Sequence, residues 1–228
     1  MATLLALDAS SSACSCAVWR DGEVFSRFAL APREHTHRLM PMIDDVLAEA
    51  QISLTDLDAL AYGQGPGSFT GLRIAAGVAQ GLAFALERPL IGVSTLAALA
   101  LAAHRRYRQS HVFAALDARM NEIYVGAYHC QDDTVIPVMA DAVMPPQSLE
   151  LPPANHDVQW CGVGSGWSLW EDMPIEVKTG IDQCFVDPQP DAADMARLAA
   201  KAFDAQEGRP AHEVIPVYLR DQVAFKRG

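Results

Sequence analysis

Twice along this chain an apolar run ends in an aspartate followed by a small residue, and each time a hairpin comes next. The first is Thr3–Ala9, "TLLALDA", followed by "CSCAVWRDGEVFSRFAL", where Asp21-Gly22 separates two β-rich runs. The second is His111–Ala118, "HVFAALDA", whose following strand is "EIYVGAYHC". A strand, a turn and a hairpin cannot bury their own apolar faces, so a chain that starts this way twice is expected to build two α/β units side by side.

The stretches between agree with that plan. In "HTHRLMPMIDDVLAEAQI", Leu39, Met42, Ile43, Val46, Leu47 and Ala50 recur at helical spacing, while Asp44, Asp45 and Glu49 lie off the stripe. "LDALAYGQG" reads as a buried strand running through a Gly/Pro turn into a second helix that ends near Arg88-Pro89. "LIGVST" and "LAALALAAH" give another strand and helix, and the polar run "HRRYRQS" at His104–Ser110 marks a boundary. Strands continue through "TVIPVMADAVM" and "VQWCGVG", and a final helix is expected over Asp194–Ala205 before "PVYLRD". This divides the chain into residues 1–104 and 105–228, the last segment returning toward the first.

The chain has 228 residues, half of them hydrophobic, enough for one sizeable core or two small ones. Its 17 Lys and Arg against 28 Asp and Glu leave a net charge of -11, which opposes the counterion release that drives non-specific RNA binding. Five scattered cysteines, Cys14, Cys16, Cys130, Cys161 and Cys184, form no CxxC pair and read as reduced, mostly buried thiols. The start has no basic flank and too short an apolar run for a signal peptide or membrane span, so the cytoplasm is the expected compartment.

The most suggestive local stretch is Tyr62–Leu86, "YGQGPGSFTGLRIAAGVAQGLAFAL", which resembles a phosphate cradle opening onto a helix. Gly63, Gly65, Gly67 and Gly71 match neither GxGxxG nor GxxxxGK[ST], and no lysine follows to meet a terminal phosphate. A turn at Pro66-Gly67 with Ser68 or Thr70 capping the helix accounts for the same residues. Within the helix, Ile74, Val78 and Leu82 form a row suited to the core, while Arg73, Ala76, Gly77, Gln80 and Ala83 lie on another side. Glycine inside a helix costs about 1 kcal/mol against alanine, so Gly77 and Gly81 require a reason. Close approach of another helix supplies one, and that helix is either internal or part of another chain.

Other chemistry fails on spacing. His35 and His37 lack the i, i+4 relation that puts two ligands on one helical face. Asp8 with Ser10, Ser11 and Ser12 has the makings of a first phosphate loop. The second half, however, supplies Asp117-Ala118-Arg119-Met120, where side chains take the space a phosphate needs, and "GVGSG" at Gly162–Gly166 is the sole trace of an adenosine loop. No GxSxG elbow is present. No cofactor and no metal are expected.

Together, "LLALDASSSACSCAV", "HTHRLMPMIDDVL", "GQGPGSFTGLRIAAGVAQGLA", "LDARMNEIYVGAY" and, near the end, "PVYLR" resemble the TsaB (YeaZ) family, bacterial paralogues of the tRNA threonylcarbamoyl-transferase TsaD. The resemblance implies an actin-like (ASKHA) fold of two linked α/β subdomains. It also implies a non-catalytic scaffold role in making N6-threonylcarbamoyladenosine beside the anticodon of tRNAs that read ANN codons. Its partners would be TsaD, met through the N-terminal helices, the ATPase TsaE, and a second copy when TsaD is absent. Contact with tRNA would be only indirect, and no membrane is involved. "HTHRL" lacks the second histidine of the HxxxH in the catalytic paralogue. The docking residues expected on this basis are His37, Met40 and Asp44 of the first helix with Arg73, Ala76, Gly77, Gln80 and Ala83 of the second. The competing reading is an active ATP-dependent small-molecule kinase of the same fold.

Overall fold

A computed structural model describes residues 2–152 and 158–220; the aspartate that ends "PVYLRD" and the other last residues of the second expected subdomain, 221–228, lie outside the described residues. The first unit opens with β1 (Thr3–Asp8), β2 (Ala13–Arg20) and β3 (Glu23–Leu30) as an antiparallel meander. Asp21 (φ 53°) and Gly22 (φ 90°) both take positive φ, the demand of a two-residue hairpin turn. Next come helix α1 (His35–Glu49), β4 (Ala59–Gly65), helix α2 (Phe69–Leu86) and β5 (Leu90–Ser94). Because β4 and β5 join parallel to β1 and to each other, the sheet order is β3-β2-β1-β4-β5.

The second unit repeats this order strand for strand. β6 (His111–Arg119), β7 (Glu122–Gln131) and β8 (Thr134–Met144) form the antiparallel meander, and β9 (Trp160–Val163) and β10 (Ile181–Phe185) add in parallel. The order β8-β7-β6-β9-β10 is the first sheet's connectivity again. The duplication expected from the two Asp-ended runs is therefore present, and the fold is the actin-like pair of α/β subdomains.

β1 is buried on both faces from Leu4 onward, as a central strand must be. Leu5 and Leu7 face a core shared with α1 and α2, whereas Leu4 and Ala6 face one shared with helix α5 (Ala192–Asp204). The last helix thus packs on the first sheet. Between the sheets lies α3 (Thr95–Tyr107), whose Leu96, Leu99, Ala100 and Ala103 cover the second sheet while Ala98 meets the first. Its alanines permit this double contact, since small side chains allow backbones to come close on both sides.

The polar run His104–Ser110 begins inside α3, which runs on through Tyr107 and stops at Arg108 in the left-handed conformation (φ 61°). The polar residues grip other elements. Arg105 donates to the buried Asp194 carboxylate of α5 at 2.7 Å, Arg106 lies 3.6 Å from Asp191, and Tyr107 stacks on Phe185 with ring centroids 3.7 Å apart. Periodicity also misses β10, the short helix α4 (Ile175–Gly180) and the 3-10 stretch Ser165–Asp172. These cover the outer face of the second sheet with Trp167, Met173 and Val177. They are short and held by tertiary contact, so local pattern carries little of them.

Candidate docking face

α1 and α2 lie on the same face of the first sheet and share one core. α1 presents Leu39, Ile43, Val46 and Leu47 inward, the stripe its spacing predicts, and leaves His37, Met40 and Asp44 exposed. α2 is oriented differently from the expectation. Its buried residues are Gly71, Leu72, Ala75, Ala76, Ala79 and Ala83, so Ala76 and Ala83 belong to the core and not to the outward side. Ile74, Val78 and Leu82, expected to face the core, are only half-buried along the rim. The reason is steric. Alanines let the helix sit close on the strands, and the bulkier aliphatic row is displaced to the edge.

The outward sector consists of Arg73, Gly77, Gly81, Phe84 and Ala85. Among the described residues a Cβ built on Gly77 or Gly81 meets nothing within 4 Å, so none of the described helices explains either glycine. Of the two sources left open by the sequence, the internal one is thereby removed. Phe84 is 82% exposed beside them. It was missed by sequence reasoning although Gly77, Gly81 and Phe84 stand at i, i+4 and i+7, one helical face. Gln80 is half-buried, and its amide donates to Val214 O at 2.9 Å. Arg73 lies over the Phe69 ring at 3.9 Å and donates through Nε to Tyr218 Oη at 3.2 Å. By length and composition α2 could cross a membrane, yet its alanine side is packed on the sheet.

The glycines that open α2 have an internal purpose. A Cβ on Gly71 would sit 1.8 Å from Ala9 O, and one on Gly67 would sit 2.5 Å from Ser10 O. Ser68 N–H donates to Ser10 O at 2.7 Å, while Ser68 Oγ caps the helix by accepting from Gly71 N–H at 3.4 Å. Of the amides that a phosphate would use in a cradle, that of Ser68 is thus turned to the chain's own Ala9–Ser10 loop and that of Gly71 to the Ser68 side chain. Asp8, fully buried beneath that loop, accepts from Ser10 N–H (3.3 Å) and Ser10 Oγ (3.1 Å). Burial, only partly offset by these bonds, pushes its carboxyl up to about 7, with nearby Asp191 adding to the rise.

In the second unit, Arg119, Met120 and Asn121 all take positive φ at the β6–β7 turn, where Asp117 accepts from Arg119 N–H at 2.8 Å. Gly164 and Gly166 are explained by contact with Ala115, to whose atoms a Cβ would come within 2.3 and 2.8 Å. His35 Nε2 lies 3.1 Å from Ser11 O, and His37 points to solvent. Among the described residues no group of three His, Cys, Asp or Glu could hold a metal ion. Burial raises the thiols of Cys14, Cys16, Cys130 and Cys161, which keeps them protonated.

The sequence family described as "TsaD: tRNA N6-adenosine threonylcarbamoyltransferase" matches residues 29–225. The tRNA threonylcarbamoyladenosine biosynthesis protein TsaB of Escherichia coli is 42% identical over 225 residues, 98% of this chain and 97% of its own. The TsaB protein of Haemophilus influenzae is 39% identical over 99% of this chain and 96% of its own. The solved structure of YeaZ from Pseudomonas aeruginosa superposes with a TM-score of 0.91 at 44% identity, covering 96% of this chain and all of that one. With two near-full-length relatives and a near-identical fold in agreement, the chain belongs to the TsaB (YeaZ) family.

Proposed function

We propose that this protein acts in the biosynthesis of threonylcarbamoyladenosine in tRNA, as a non-catalytic cytoplasmic scaffold that pairs with TsaD and recruits the ATPase TsaE. The observation that carries this reading is the outward side of α2. Gly77 and Gly81 give up helix propensity with no internal contact in return, and they lie beside an exposed phenylalanine. Such a surface stabilises a complex by letting a partner helix approach closely and by burying Phe84. His37, Met40 and Asp44 of α1, with Arg73 and Gly77 of α2, form the proposed contact set, and Gly81 and Phe84 extend it. A second copy of the chain would use the same face when TsaD is absent, and tRNA would be met only through the complex.

Gly77→Leu tests this. The added side chain enters open space, so the variant should melt at or slightly above the wild-type temperature. Its capture of TsaD from the same organism should weaken by a few kcal/mol, the range for an overpacked contact. Full TsaD capture by a folded Gly77→Leu protein would place the docking surface elsewhere.

The kinase reading is separated by calorimetry. Titration of the isolated chain with ATP and magnesium should release no binding heat, because the Ser68 and Gly71 amides at the start of α2 are committed to Ser10 O and Ser68 Oγ. Micromolar binding with turnover would establish the kinase instead.

A further inference from the structure

We propose that residues 214–220 form a strap that couples the two subdomains mechanically, so that loosening it on one side loosens its hold on the other. On the first subdomain the strap is fastened at the end of β4. Tyr62 Oη and Gln80 Nε2 both donate to Val214 O, at 3.2 and 2.9 Å. Gln64 Nε2 donates to Ile215 O at 2.7 Å, and Val217 N–H donates to Gln64 O at 2.8 Å. Gly65 is required there, since it sits at φ 125° and a Cβ would lie 2.6 Å from Val217 O.

On the second subdomain a single side chain makes the attachment. Arg220 forms an ion pair with Glu122 and donates to Ala118 O (3.2 Å) and Arg119 O (3.4 Å), embracing the β6–β7 turn and its three positive-φ residues. Only Tyr218 and Leu219 separate Val217 from Arg220, too few for slack between the two anchors.

The strap is held by polar contacts more than by burial. Val214 is buried, whereas Ile215, Val217 and Tyr218 are 62, 41 and 43% exposed. A segment fastened in this way opens at lower cost than a core element, and its hydrogen bonds open together or not at all if the strap is one unit. Tyr218 also rests against Phe69 and Arg73, so the strap borders the outward side of α2.

Amide exchange read residue by residue in the full chain tests the coupling. Arg220→Ala should accelerate exchange of the Val217 amide at least tenfold, although that amide is bonded to the other subdomain. Gln64→Ala should likewise accelerate the Arg119 amide. The melting-temperature losses of the two variants should combine non-additively in the double variant, whereas independent anchors that share no partner add. If Arg220→Ala does not fold, Glu122→Gln removes the ion pair but spares the carbonyl contacts and should move the Val217 amide in the same direction. Faster exchange confined to residues 118–122 in the folded variant, or additive losses, would show two separate anchors and overturn the proposal.

Discussion

Asp8→Asn should be more stable than the wild type above neutral pH, and the difference should vanish as the solution is acidified. Unfolded, Asp8 ionises near the ordinary carboxylate value of 3.8; folded, burial holds it up at about 7. The native state therefore keeps a proton that the unfolded state releases. Below pH 4 both states are protonated and the buried group carries no charge penalty. Between pH 4 and 7 the unfolded chain ionises first, so the wild type loses stability as pH rises. Above 7 the loss is complete, at roughly 4 kcal/mol.

Asparagine stays neutral throughout and preserves the shape, its Oδ1 accepting from Ser10 N–H and its amide donating to Ser10 Oγ. Asp141 and Asp194 are also raised by burial, but they titrate in both proteins and cancel in the difference. Urea unfolding of both proteins at pH 4, 6 and 8 measures the effect. A constant difference across that range would mean that Asp8 is charged in the fold at every pH.

The second large effect is expected at Gly71. Alanine is the better helix former and Gly71 lies in the first turn of α2, so propensity alone predicts a gain of up to about 1 kcal/mol. The structure predicts the reverse. The new methyl would stand 1.8 Å from Ala9 O, a backbone atom that cannot rotate away, so α2 must lift off the loop above Asp8. Overpacking of this kind costs about 3 kcal/mol or more, a fall of roughly 6–12 °C in melting temperature for a chain of this size. Gly77→Ala, identical chemistry six residues along the same helix, should instead raise the melting temperature by about 2–4 °C. Two thermal melts decide the matter, and equal shifts would refute the assignment of the two glycines to inward and outward sides.

That pair of glycines marks the boundary between local and tertiary information. From composition and periodicity alone, the sequence determined that the chain is two α/β units beginning alike. The strand-Asp-hairpin signal is local, and Leu39, Ile43, Val46 and Leu47 repeat at a period that only a helix satisfies. It also determined the family, because the matching motifs extend along most of the chain. The way α2 is turned was decided only by tertiary structure. In "GLRIAAGVAQGLAFAL" nearly every residue is apolar or small, so no stripe stands out, and the face that sinks is the one whose small side chains fit the strands most closely. This placed Ala76 and Ala83 inside and Phe84 outside. Tertiary structure likewise decided that α5 covers the first sheet and that Arg220 reaches the β6–β7 turn. Contacts between residues so far apart in the chain leave no period in the sequence, because their partners are chosen by packing and not by neighbours along the backbone.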